Sequence, residues 1–114
     1  LLIEDTRLEL PLFETEYKTS SFHLYPLRLK NVTEQQRDAV MQHIFDADVS
    51  VNVHFLPVPG TTYYKSLGYN VSDYKVAYDN YSREISLPIF YDLSDEQIKI
   101  VVNALTQALD KVVS

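Results

Sequence analysis

The 114 residues include no cysteine. Disulfide staples and thiolate metal sites are thereby excluded, and a reducing cytoplasm is compatible with the chain. Only two glycines occur, Gly60 and Gly68. A loop that cradles phosphate needs several close together, so that backbone N–H groups can approach the anion; none is present. No apolar run reaches the roughly 18 residues of a membrane span. The opening LLIEDTRLEL carries acids where a secretory signal would carry base, and it lacks methionine, which suggests a piece cut from something longer. Base is scarce overall: ten Lys and Arg stand against sixteen Asp and Glu, a formal net charge of −6. Such a domain repels phosphate backbones, so no nucleic-acid partner is expected.

Catalytic signatures are equally sparse. There is no G-x-S-x-G elbow for a serine nucleophile. His23, His43 and His54 each stand alone, with no H-x-x-x-H or H-E-x-x-H spacing to place two ligands on one helix face. No metal site is expected. The six lysines lie in polar or helix-surface contexts, poor settings for a desolvated Schiff-base amine. Asp46 and Asp48 read as a solvated helix end, Asp92 and Asp95 as turn and helix-start residues. The sequons at Asn31, Asn70 and Asn80 read as coincidence, with Thr33 and Ser72 as helix N-caps.

What is present is one domain's worth of pattern. Residues 1–21 are mixed and polar and read as a linker with one short extended piece. Residues 22–30 read as a strand with Leu27 and Leu29 on one face; Pro26 predicts an edge position or a bulge. Thr33 and Gln36 form a capping box ahead of a helix carrying Val40, Ile44 and Ala47 and ending near Asp46–Asp48. Residues 50–57 alternate as a second strand, with Val51, Val53 and Phe55 on one face and Asn52, His54 and Leu56 on the other. Residues 61–70 read as an aromatic turn or short helix closed by Gly68. Ser72 is expected to cap a helix bearing Tyr74, Ala77, Tyr78 and Tyr81. Residues 84–90 form a third strand, and Ser94 with Gln97 a second capping box. The closing helix has Ile98, Val101, Val102, Leu105, Leu109 and Val112 on one face. The expected class is α+β: a small three-stranded sheet with helices packed on one face. Strand direction is not settled by pattern. Nine tyrosines occur, five of them between Tyr63 and Tyr78. Either their rings pack in the core, or they wall a sugar, a nucleotide or a larger domain.

Three stretches, in order and spacing, carry a resemblance. Phe22–Leu29 (FHLYPLRL) resembles a YHLYPIRL strand. Val51–Val58 (VNVHFLPV) with Tyr63–Tyr69 (YYKSLGY) resembles VHYIPVH…YYKxLGY. Tyr81–Phe90 (YSREISLPIF) with Asp92–Glu96 (DLSDE) resembles YxRxISLPLFPDLTDE. Together they resemble the C-terminal domain of the DegT/DnrJ/EryC1/StrS sugar aminotransferases, over about residues 8–112. The resemblance implies the small domain of the aspartate-aminotransferase-like fold over residues 22–114. It implies a homodimeric cytoplasmic enzyme that moves an amino group from glutamate to a keto-sugar nucleotide. Pyridoxal phosphate and the aldimine lysine would belong to a large N-terminal domain missing here. This chain would then be one wall of the substrate cleft, without cofactor and inactive alone. His54, matching the motif's first histidine, is implied near the substrate. Tyr63 and Tyr64 are implied at the cleft mouth, and Arg83 matches a recurring arginine. The motif's second histidine is replaced by Pro59, so substrate contacts are expected to differ. A free-standing small-molecule-binding or protein-interaction domain of the same shape is the alternative.

Overall fold

The computed structural model describes residues 1–2 and 4–113; Ile3, within the first expected segment, and Ser114, the last residue of the second, lie outside that description. The elements are β1 (Leu8–Glu9), β2 (Glu14–Thr15), β3 (Lys18–Thr19), β4 (Tyr25–Leu29), α1 (Glu34–Asp46), α2 (Thr62–Ser66), α3 (Lys75–Arg83), β5 (Glu84–Leu87) and α4 (Asp95–Val112). Short 3-10 turns cover Val58–Gly60 and Val71–Asp73. The α+β class expected from the sequence is what forms.

The main sheet has the order β1-β4-β5, antiparallel throughout, with Leu8 opposite Leu29 and Leu27 opposite Ile85. Residues facing each other across a ladder share a sheet face. One face therefore gathers Leu8, Leu27, Leu29, Ile85 and Leu87. Val40 and Ile44 of α1 and Ala104, Leu105, Ala108 and Leu109 of α4 close over it to form the core. Burying each of the larger side chains contributes about 1.5–3 kcal/mol. Both helices start at complete capping boxes: Thr33 Oγ accepts from Gln36 N at 3.2 Å while Gln36 Oε1 accepts from Thr33 N at 2.9 Å, and Ser94 and Gln97 repeat the pattern.

Several expectations are corrected. Residues 50–57 do not form a strand; only Asn52 bridges to Ser86. The next two backbone donors go to side chains instead, Val53 N to Asn52 Oδ1 (2.8 Å) and His54 N to Glu84 Oε2 (2.9 Å). A ladder cannot continue once its donors are taken. The third strand of the sheet is instead β1, from the stretch expected as a linker. Leu2 and Leu8 of that stretch are buried in the common core, so no break in packing marks residue 21. It also carries a second hairpin, β2 with β3. Pro26 lies in the central strand rather than at an edge. It is tolerated because β1 pairs only with Arg28 and Leu29, leaving the Pro26 end of β4 open on one side. Ser72 caps no α-helix. Asn70 Oδ1 accepts from Ser72 N at 3.0 Å and caps the 3-10 turn, and α3 begins after Tyr74 with no side-chain cap. The third expected strand stops at Leu87, before Pro88. Gly68 does close α2, at φ +89°, a conformation costly for any residue with a Cβ.

Candidate functional site

The opposite sheet face is polar. Register sets Glu9, Arg28 and Glu84 in a row across three strands, with Pro26 and Ser86 in the next row. Glu9, Pro26, Arg28 and Glu84 floor an open groove of about 880 Å³. Ala77, Asn80 and Tyr81 of α3 flank it, as do residues from the β2–β3 region and the His54–Phe55 segment. Arg28 pairs with Glu9 and donates to Asn80 Oδ1, so its charge is engaged at the floor.

Glu84 is 6% exposed and Ser86 4%. A buried carboxyl is costly unless its oxygens are bonded. Here Oε2 accepts the His54 backbone N–H at 2.9 Å, and Oε1 accepts the Ser86 hydroxyl. Ser86 Oγ in turn lies 2.9 Å from His54 Nδ1. The Phe55 ring stands edge-on to the imidazole, 4.6 Å between centroids. Beneath this cluster, Arg37 reaches from α1. It is 2% exposed and donates to Tyr81 O (2.8 Å) and Glu84 O (3.0 Å), with its guanidinium 5.2 Å from the Tyr81 ring centre. Burial first, then the nearby Glu34, pushes the Tyr81 phenol above its usual pKa. The Tyr78 phenol is also raised, chiefly by donating to Glu34 at 2.6 Å.

Of the four residues singled out from the sequence, the groove takes in His54 alone. Tyr63 and Tyr64 sit on α2, ring edge to ring face, 67% and 37% exposed, away from the groove lining. Arg83 points elsewhere: it pairs with Asp79 at 2.6 Å, lies 3.8 Å from Glu9 and donates to Leu29 O at 3.0 Å. Its guanidinium holds the Asp79 carboxyl below the usual range. Pro59 lies in the Val58–Gly60 turn, also outside the groove lining. Sequence reasoning missed Glu84, Ser86, Arg28 and Glu9. Their signal was the polar half of the alternation in β4 and β5.

A second, apolar cleft of about 420 Å³ lies between Leu1, Leu2, Tyr25, the Pro88–Phe90 stretch and α4. Leu1 and Phe90 in its lining are strongly exposed, as is the neighbouring Tyr91. Among the described residues no three His, Asp or Glu side chains gather as metal ligands, and no helix is long and apolar enough to cross a membrane.

Residues 2–106 match the profile of the DegT/DnrJ/EryC1/StrS aminotransferase family. A UDP-4-amino-4,6-dideoxy-N-acetyl-beta-L-altrosamine transaminase of Campylobacter jejuni is 31% identical over 108 residues, which is 90% of this chain and 28% of that protein. The spore coat polysaccharide biosynthesis protein SpsC of Bacillus subtilis is 30% identical over 90 residues, covering 75% and 23%. Among solved structures, the PLP-form of a Streptococcus pneumoniae protein assigned as a sugar aminotransferase, Spr1654, superposes with a TM-score of 0.90 at 32% identity over 96% of this chain and 28% of its own. The chain thus spans about a quarter of the length of the relatives it matches.

Proposed function

The chain belongs to the DegT/DnrJ/EryC1/StrS aminotransferase family, and from that premise we propose that it is the C-terminal small domain of a nucleotide-sugar aminotransferase, forming one wall of the substrate cleft. The observation that carries the reading is the polar sheet face. A domain of this size whose central sheet is covered by helices on one face and opens to a groove on the other is built to meet something there. His54, held at the groove by Glu84 and Ser86, is the residue proposed to touch the sugar nucleotide. Tyr63, Tyr64 and Arg83 are proposed at most as outer elements of the cleft, since they stand apart from the groove.

Pyridoxal phosphate, when bound, supplies the electron sink for moving an amino group. The groove does not fit it unaided. Its one lysine, Lys18, is exposed on the hairpin, and the carboxyls of Glu9 and Glu84 would share the space with the cofactor's phosphate. The cofactor is therefore proposed to sit on a larger N-terminal domain, within a homodimeric cytoplasmic enzyme. The isolated chain is proposed to be inactive. The exposed Leu1 and Phe90 of the second cleft suit burial against that larger domain.

The test is kinetic. In the enzyme that contains this chain, His54→Ala is expected to lower kcat/KM for the keto-sugar nucleotide about tenfold, the worth of roughly one hydrogen bond made at the substrate. An unchanged kcat/KM would remove His54 from the cleft. The chain alone, mixed with pyridoxal phosphate, is expected to show no aldimine absorbance band.

A further inference from the structure

The bonds around Glu84 decide a proton's place as well as a ring's. A serine hydroxyl carries one hydrogen, and that of Ser86 is committed to Glu84 Oε1. Ser86 Oγ can then meet His54 Nδ1, 2.9 Å away, only as an acceptor. The neutral imidazole must carry its proton on Nδ1 and its lone pair on Nε2, the reverse of the form that free imidazole side chains favour in water. The second Glu84 oxygen, bonded to the His54 backbone N–H, fixes the carboxyl against rotation. Among the described residues Nε2 has no protein partner, yet no buried side-chain nitrogen or oxygen is left without one. Nε2 therefore reaches solvent, on a residue that lines the groove.

We propose that Glu84 and Ser86 are positioning residues that lock His54 with its proton on Nδ1, so that Nε2 presents a hydrogen-bond acceptor to the groove and takes a donor from the ligand, a hydroxyl or an amide N–H. The ligand half of this inference rests on the groove being the sugar-nucleotide wall; the lock itself does not. An anion is disfavoured at this point. Glu9 and Glu84 share the sheet face, and the Arg28 guanidinium is already engaged by Glu9 and Asn80. Hydroxyls, which a sugar carries in number, are the complementary class.

The test is nitrogen-15 NMR of the enzyme that contains this chain, labelled at histidine, above the pH at which imidazole protonates, with His54 assigned by difference against His54→Gln. The expected spectrum has a pyrrole-type Nδ1 and a pyridine-type Nε2 at His54. Glu84→Gln is nearly isosteric and reverses the relay. Its carbonyl keeps the His54 N–H, its amide donates to Ser86 Oγ, the Ser86 hydrogen turns to Nδ1, and the ring proton moves to Nε2. Ser86→Ala, which removes the acceptor without changing charge, is expected to shift the ring toward the Nε2-protonated form. A pyridine-type Nδ1 in the unmodified chain, or an unchanged pattern in a folded Glu84→Gln or Ser86→Ala variant, would overturn the lock. UDP-glucose as probe is expected to move the Nε2 signal while leaving it pyridine-type. Glu84→Gln is expected to bind the probe about tenfold more weakly, the size of one neutral hydrogen bond. A response to inorganic phosphate equal to that of UDP-glucose overturns the choice of a donor ligand. No response to either, with the proton placed as expected, overturns the groove's reading as a sugar-nucleotide wall and leaves the lock standing.

Discussion

The two faces of the sheet come from the same strands read at alternate positions, yet they are finished in opposite ways. On one side Leu27, Leu29, Ile85 and Leu87 disappear under α1 and α4. On the other, Arg28 is covered only in part while Glu84 and Ser86 are buried, and each finds a hydrogen-bond partner. The first face stabilises through area, which tolerates some imprecision. The second stabilises little by itself, because its ions lose hydration to gain their bonds. Its return is direction: a carboxyl that cannot rotate and a ring that cannot turn. A small domain that spends half its sheet this way leans on the other half for stability.

That division is most sharply tested at Leu105, fully buried on α4. Leu105→Ala is expected to cost about 2–5 kcal/mol, the range for truncating a buried leucine into a cavity. Urea denaturation with unchanged m-value would measure it. If the loss were under about 1 kcal/mol, the apolar face would not be the support claimed for it. The link between the faces is Arg37, which rises from the helical side to bind the carbonyls of Tyr81 and Glu84 at the α3–β5 junction. Arg37→Met keeps much of the stem and removes the donors, leaving two backbone oxygens short of partners. A loss of about 2–3 kcal/mol is expected. The His54 imidazole signals should move as well, because Glu84 anchors that ring. Stability lost with the His54 signals unmoved would mean that the two faces are not coupled through Arg37.

How far the sequence foretold this differs between the faces for a physical reason. Local signals survived intact: Thr33–Gln36 and Ser94–Gln97 needed only neighbours three residues away, and both boxes form. The apolar stripe of α4 and the Leu27/Leu29 and Ile85/Leu87 pairs were equally plain, since burial repeats with the period of the element. Two failures were non-local. The alternation in Val51–Phe55 promised a strand, but a strand exists only if its donors find a ladder, and Glu84, thirty residues on from His54, takes one of them. Leu8–Glu9 is two residues long, too short for any period to show. The groove was least visible of all. In EISLPIF the polar Glu84 and Ser86 look like residues facing water, and only register discloses that they are buried beside His54. His54 itself was found by resemblance to a motif. Its partners were found by geometry.

The smallest expected effect separates the edges of the two faces by acid. Arg7 clasps Asp5 at 2.8 Å and reaches Asp110 of α4 at 2.8 Å, tying the N-terminal segment to the helical side. The bond from Arg7 holds the Asp5 carboxyl below its usual pKa, as the bond from Arg83 does for Asp79 on α3. A carboxyl depressed in the folded state contributes stability that is complete above its unfolded pKa, near 4, and is lost as the pH falls through the lower folded value. Thermal midpoints should therefore drop below about pH 4 by more than in an Asp5→Asn variant, whose curve should be lower at neutral pH and flatter in acid. Asp79→Asn should flatten it less, because the Asp79 side chain is 58% exposed against 16% for Asp5, and water screens the exposed pair. Equal flattening by the two variants would show that the shielded Arg7–Asp5 pair confers no advantage over a surface pair on α3. An acid limb identical to the unmodified chain's in both would remove these pairs from the account of stability altogether.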